Sequence, residues 1–333
     1  MFLKVVLVLC LLFGIEKSVV AKNKNDYVVA VRAHVSEQRA IKKWGPTIEW
    51  LNQTIPGSNF TLKPYTSLKQ QIADAREKRF DFLLTNPATY VELEAAVAAQ
   101  ALLTLVNNRV GTAQTRFGSV IFTHIDNTDI LTLSDLKGRS FVGVNPIGFG
   151  GWRVGLLEMK NQGIYPEKDF SDLQFSGNQP DTVYAVLNKK FDAGIVRTDM
   201  LERLASKGKI DLNHFRVLNP QQHADFPFFC SSALYPEWPF AVMPHVDKNL
   251  TNLVTASLLK ITKEDKAAIT GKYMGWTRAL SYEPVKDLLK TLELGPYKNE
   301  FLKISKDMKL IIAGIVLFIG LLSLYLYLRP KRE

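Results

Sequence analysis

Nineteen consecutive uncharged, mostly apolar residues, Leu310 to Leu328, stand between Lys309 and Arg329. At 1.5 Å of rise per residue such a helix covers about 28 Å, close to the thickness of a bilayer core. A core helix of this length would carry a polar face. This one offers only Ser323 and, near its end, Tyr325 and Tyr327, where an interfacial aromatic belt would sit. The expectation is one C-terminal transmembrane helix over residues 310–328. At the other end, Lys4 precedes an apolar run from Val5 to Ile15. Ser18-Val19-Val20-Ala21 then offers small residues for cleavage before Lys22, so residues 1–21 read as a signal peptide. Arg329, Lys331 and Arg332 favour a cytoplasmic C-terminus, although Lys303, Lys306 and Lys309 weaken that asymmetry. The expected location is the inner (cytoplasmic) membrane, crossed once, with the body in the periplasm and no cytoplasmic domain to carry an output.

The exported body exceeds what one small core serves, so two lobes are expected. Of the two cysteines, Cys10 lies in the signal and Cys230 is left without an intrachain partner. Cys10 has no small-residue lipobox before it, which argues against a lipoprotein. The formal charge of +10 suits anionic ligands or lipid headgroups. The positive residues are scattered rather than clustered with aromatics, so nucleic acid is not an expected partner. His34, His124, His214, His223 and His245 show no metal-ligand spacing, and there is no P-loop or GxSxG elbow. No metal, cofactor or catalytic residue is expected. Cys230, set among Phe226, Phe228 and Phe229, reads as a buried structural thiol rather than a nucleophile.

Along the chain, strands and helices alternate. Tyr27 to Val31 reads as a strand, followed by a helix through Ile41, Trp44, Ile48 and Leu51. Strands at Phe60 to Tyr65 and Phe80 to Leu84 follow, with Ser67 capping a helix between them and Pro87 opening the next. Ala101 to Val106 and Gly118 to His124 are further strands. A second series runs from Ser140 to Val144 through a helix at 151–162, a strand at 172–175, a helix at 180–189 and a strand at 192–197. Phe215 to Leu218 leads into a Pro- and aromatic-rich crossing, Asp225 to Phe240, and the stretch from Pro244 to Leu294 reads as helical. The class is α/β. The last helices cannot form a lobe alone and should pack back on the first. Lobe 1 is then expected at 26–117 and 225–300, and lobe 2 at 118–224.

Several strands end in a polar or glycine-rich turn that immediately starts a helix. Thr85-Asn86-Pro87 puts a capping Asn before a first-turn proline, and Ser176-Gly177-Asn178-Gln179-Pro180 repeats the device. Asn145 to Trp152 carries Gly148, Gly150 and Gly151, and Arg197-Thr198-Asp199 follows the strand Ala193 to Val196. Ligands in open α/β sheets bind beyond the carboxyl ends of strands, where helix starts present free N–H groups to an anion. Arg197 should reach the cleft between lobes and hold an oxyanion bidentately. The alternative is an ion pair with an acidic neighbour that fixes the hinge.

Trp44 with Leu51, Pro56-Gly57, Phe80-Asp81-Phe82 and Thr85 to Tyr90 resemble the first lobe of the phosphate/phosphite/phosphonate-type periplasmic binding proteins. Leu136-Lys137-Gly138, Gly150-Gly151-Trp152, Gly177-Asn178-Gln179 and Asp192 to Thr198 resemble the second lobe. Leu234 to Phe240 and Tyr273-Met274-Gly275-Trp276 are closer to one branch, the extracytoplasmic sensor domains of tetrathionate-sensor-like histidine kinases. The resemblance covers nearly all of 26–300. It implies a two-lobe, type II periplasmic binding protein fold closing on a small ligand. By resemblance, Tyr90 matches a ligand-facing tyrosine, Gln179 a ligand-contacting histidine, and Ile147 to Gly150 a Ser/Thr run that grips phosphonate. Here that run lacks hydroxyls, which implies a larger or softer anion such as a sulfur oxyanion. The expected ligand-binding residues are His34, Thr85, Asn86, Tyr90, Phe149, Gly150, Gly151, Trp152, Gln179, Arg197 and Thr198. The leading function is a tethered sensor reporting to a separate histidine kinase. The alternatives are the binding component of an ABC uptake transporter working with a permease, and an enzyme on the same fold.

Overall fold

A computed structural model of the chain describes residues 25–33, 36–298 and 306–328. The signal reading of 1–21 and the candidate His34 lie outside the described residues. Two mixed sheets dominate. The first runs in the order Tyr273–Arg278, Gln100–Arg109, Pro239–Val242, Phe82–Leu84, Asp26–Arg32, Asn59–Tyr65, with Thr112–Gln114 paired onto Gln100–Arg109. The second runs Phe215–Leu218, Ser119–His124, Ala193–Arg197, Ser140–Gly143, Asp172–Phe175. Each sheet with its helices is a lobe here. Asp26–Arg32 pairs in parallel with both Asn59–Tyr65 and Phe82–Leu84, which requires helical crossovers between them. Buried runs such as Val29-Ala30-Val31 and Phe82-Leu83-Leu84 are apolar at every position because helices cover both faces.

The helix starts follow from local chemistry. Ser36, Ser67, Asn86 and Asn178 each accept a backbone N–H with the side chain, and each follows closely on the carboxyl end of a parallel strand. Three sequence expectations are corrected. Residues 244–294 are not all helical, since Tyr273–Arg278 is an edge strand with an irregular register at Gly275. Its short mixed sequence carries no clean alternation, and pairing with Gln100–Arg109 makes it a strand. The helix expected over 151–162 is a five-residue π-turn, Phe149–Arg153, followed by Val154–Asn161. The crossing Asp225 to Phe240 ends in strand: Pro239–Val242 is central in the first sheet, with proline as its first residue.

The chain passes between lobes at Arg116–Phe117 and returns at Tyr235–Pro236, and these two segments pair antiparallel. Ser231 and Ser232 stitch the crossings together, accepting from the Ile121 N–H at 2.9 Å and the Ser119 N–H at 3.0 Å. Gly118 sits in this seam, where an added Cβ would lie 2.5 Å from Ser232 Oγ and 3.0 Å from the Ala233 carbonyl. Gly118→Ala is therefore expected to cost about 1–3 kcal/mol through overpacking. The midpoint of urea denaturation checks this, and an unchanged midpoint would show that the seam yields freely.

At the C-terminus, Lys306–Leu328 is a helix. Its placed side chains, Leu310 to Ser323, are exposed. Among the described residues no helix is long and apolar enough to cross a membrane. The membrane span is therefore not part of the described structure.

Candidate ligand-binding site between the lobes

A knot of buried charge sits where the two crossings meet. Arg197 ends its strand with the guanidinium carbon 4.0 Å above the Phe117 ring centre. Its Nε donates to Asp199 Oδ1 at 3.1 Å, and both terminal nitrogens donate to the Glu237 carboxylate. Arg109, from the first lobe, lies 3.7 Å from Asp199 and 3.8 Å from Glu237. Arg203 lies 3.8 Å from Asp199. Asn107 Nδ2 donates to Glu237 Oε1 at 2.9 Å, and the Tyr282 hydroxyl donates to the Glu237 backbone carbonyl at 2.7 Å. Lys43 comes within electrostatic reach from the first helix, its Nζ 4.4 Å from the centre of the Trp44 ring and 5.7 Å from that of Trp238.

Four cations, Lys43, Arg109, Arg197 and Arg203, thus gather about two carboxylates, Asp199 and Glu237. The imbalance shows in the titration of its members. Burial, and then repulsion from Arg109, push the Lys43 ammonium down to about 7. Burial alone would raise the Glu237 carboxyl, but Arg197 and Arg109 hold it below the usual range. A desolvated surplus of positive charge is what an anion would neutralise.

The candidates from sequence fall into three groups. Phe149, Gly150, Gln179, Arg197 and Thr198 border this knot. Phe149 packs edge-on to Phe117 and Tyr235, and the Gly150 carbonyl accepts from Ser119 Oγ at 2.6 Å. Gln179 Oε1 accepts the Arg197 N–H at 2.9 Å, and Thr198 Oγ1 accepts the Gly118 N–H at 3.1 Å. Thr85 and Asn86 lie at the helix start of the first lobe, and Gly151 packs against Val144 and Gln179. Tyr90 and Trp152 are core. The Tyr90 hydroxyl is spent on Glu94 at 2.9 Å and on the Ala101 N–H at 3.1 Å, and Trp152 packs on Phe141 and Phe175. Asp199 does not cap its helix: it stands at φ +72° and serves Arg197 instead.

Lys43, Arg109, Phe117 and Glu237 were not among the sequence candidates. The only sequence signal of the three charged residues was a charge inside or beside an apolar run, as in Pro236-Glu237-Trp238-Pro239, and Phe117 gave none. Two cavities of about 440 and 630 Å³ lie elsewhere, on the return crossing around His223, Phe226 and Pro227. Neither is lined by a residue of the knot.

Two lobes joined by a double crossing, with the charged side chains turned into the seam, define a substrate-binding protein of the periplasmic type. The chain belongs to the family of periplasmic phosphonate substrate-binding proteins of ABC transporters, whose pattern matches residues 29–287. It is 29% identical over 306 residues to the tetrathionate sensor histidine kinase TtrS of Salmonella typhimurium, covering 90% of this chain and 49% of that one. The chain therefore spans about half the length of that relative. Among solved structures, PhnD1 of Prochlorococcus marinus in complex with methylphosphonate superposes with a TM-score of 0.60 at 14% identity, over 81% of this chain and 99% of that one. A binding component of a Pseudomonas aeruginosa ABC phosphonate transporter gives 0.60 at 15%, over 90% and 99%. ATP-bound XAC2383 of Xanthomonas citri gives 0.61 at 16%, over 80% and 95%. At these identities the likeness is one of fold.

Proposed function

We propose that the protein is a membrane-tethered periplasmic sensor module that captures a small oxyanion between its lobes and reports occupancy to a separate membrane partner. The observation that carries the anion reading is the surplus of cations at the seam: the half-buried Lys43, Arg109 and Arg197, with the more exposed Arg203, about the buried Asp199 and Glu237. Arg197 is held flat on Phe117 by its two carboxylates, so it is oriented before any ligand arrives. Residues 310–328 would supply the tether, with the body outside the inner membrane.

The sensing role is supported by a similarity to a sensor kinase over 90% of the chain. In this reading the output would pass to a histidine kinase. Family membership supports a second reading, a tethered binding component that delivers its ligand to an ABC permease. An enzyme on this fold finds less support. The one described thiol, Cys230, is buried, donates to the Ser232 carbonyl at 3.1 Å and is pushed up by burial.

The test is a thermal-shift series on the full chain in detergent with sulfate, thiosulfate, tetrathionate, methylphosphonate and acetate. A bound anion at 100 times its dissociation constant stabilises by about 2.7 kcal/mol. If no anion in the series shifts the melting temperature, the reading is wrong. Co-purification with a kinase or with a permease then separates the two roles.

A further inference from the structure

One edge of the first sheet is left unpaired beside the larger of the two cavities. Thr112–Gln114 is joined to Gln100–Arg109 by a two-residue loop, Val110 and Gly111, with φ of +48° and +82°. Positive φ at both positions marks a type I′ hairpin turn. In such a hairpin the flanking pair, Arg109 and Thr112, is hydrogen-bonded, so the next pair, Asn108 and Ala113, turns its backbone groups outward. The Asn108 N–H accordingly reaches the Lys272 carbonyl on the far side at 3.4 Å. The Ala113 N–H and C=O face the opposite edge, where Thr112–Gln114 pairs with no other strand among the described residues. Two residues on, the Thr115 carbonyl accepts the Glu237 N–H at 2.8 Å, but the return crossing then leaves to pair with Gln100–Arg109 from Pro239 onward.

The cavity of about 630 Å³ opens on this edge, between Thr112–Gln114 and the turn His223–Phe226. Gln114 lines it, is 5% exposed, and its Nε2 finds no acceptor among the described residues. His223 Nε2 lies 2.9 Å from the Ser232 carbonyl and so carries the proton, which leaves Nδ1 as an acceptor in the neutral ring. Asp225, exposed within the turn at φ +61°, makes no ion pair among the described residues. Phe226 stands edge-on to both His223 and Phe228, and with Pro227 it also lines the cavity of about 440 Å³. A backbone donor and acceptor, a buried amide short of an acceptor, an apolar ring and a carboxylate thus line one groove. Buried donors are normally paired, so the amide calls for an acceptor from outside. An extended peptide carries the complement of each group: alternating C=O and N–H, apolar side chains and a cation.

We propose that Thr112–Gln114 and the turn His223–Phe226 form a docking groove for an extended segment of a partner protein. The segment adds as a strand at Ala113, gives a carbonyl to Gln114 Nε2, lays an apolar side chain on Phe226 and Pro227, and sets a basic residue at Asp225. Unpaired sheet edges take strands from other chains in this way. A second copy of this chain fits less well, because it would bring its own Asp225 against the first. None of these residues belongs to the charged knot or to the ligand candidates, so the inference does not rest on the anion reading.

Fluorescence anisotropy on the full chain in a neutral detergent tests this, with a labelled peptide of three Val-Lys repeats capped at both ends. The expected result is saturable binding. Ala113→Pro removes the outward N–H at an edge where proline is tolerated, and Gln114→Leu removes the amide. Each should weaken binding about tenfold, the worth of one hydrogen bond. A peptide of three Val-Glu repeats should bind about threefold more weakly, although the chain's formal charge is +10. Asp225→Asn, which a left-handed position accepts, should erase that preference. No saturable binding of the Val-Lys peptide, equal binding of the same peptide N-methylated at every residue, or affinity kept within twofold in either Ala113→Pro or Gln114→Leu would overturn the proposal. So would self-association of the unaltered chain in sedimentation that Ala113→Pro abolishes, which would mean that a second copy fills the edge. If the peptide binds while no anion shifts the melting temperature, the anion reading fails alone. Far-ultraviolet circular dichroism on each variant shows that it is folded.

Discussion

Replacing Glu237 with leucine should lower the unfolding free energy by about 3–5 kcal/mol, the cost of stranding a buried charge by deleting its partner. The side chain is 0% exposed and lies between Arg197, Arg109 and Asn107. Without it, three guanidiniums, Arg109, Arg197 and Arg203, share Asp199 alone, and the surplus of positive charge grows. Glu237→Gln keeps the shape and the Asn107 contact and should cost less. Denaturation of the full chain by urea, followed by tryptophan fluorescence, measures both. The same surplus predicts that sulfate rescues Glu237→Leu more than it stabilises the unaltered chain, because the added anion stands where the carboxylate was. A loss below about 1 kcal/mol would show that water reaches the knot and screens it.

The second large effect is a pH dependence from Lys43. Its ammonium is held at about 7 in the folded protein against 10.5 when unfolded. Between these values the unfolded chain binds more protons, so folding stability rises with pH, by up to about 1.4 kcal/mol per unit. From pH 7 to pH 9 the gain should be about 2 kcal/mol, and below pH 7 this contribution is flat because both states are protonated. Anion affinity at the hinge should move the opposite way. Above pH 7 Lys43 is mostly neutral, and binding must draw a proton onto it. Affinity should therefore fall with rising pH, by at most tenfold per unit. Lys43→Met removes both slopes and should stabilise the body at pH 7. If stability and affinity run level from pH 7 to 9 in the unaltered chain, Lys43 is solvated and not part of the knot.

Arg197 illustrates how far local sequence reaches. Its place at a strand end in an open α/β sheet, just before a helix, was plain from Ala193 to Asp199. Both fates, oxyanion clamp and hinge ion pair, were compatible with that stretch. The structure gives its guanidinium to Glu237 and Asp199, the first of them 40 residues away in the chain. Arg197→Lys, which loses the bidentate pair, should therefore cost stability as well as affinity.

The local devices were legible because each is complete within a few residues. Ser67 and Asn86 cap their helices, and Pro87 opens the second, because the side chain that satisfies the free N–H lies three positions upstream of it. The apolar runs at Val29 and Phe82 declare fully covered strands for the same reason. The strand Tyr273–Arg278 and the core role of Tyr90 could not be read this way. The first exists by pairing with Gln100–Arg109, and the second because Ala101 and Glu94 claim its hydroxyl. What the sequence by itself determined is therefore the class, the alternation of elements and the starts of helices, since hydrophobic period and capping act over one or two turns. Only the tertiary structure decided which charges meet, because Arg109, Arg197 and Glu237 come from three segments that the double crossing alone brings within hydrogen-bond and Coulomb range.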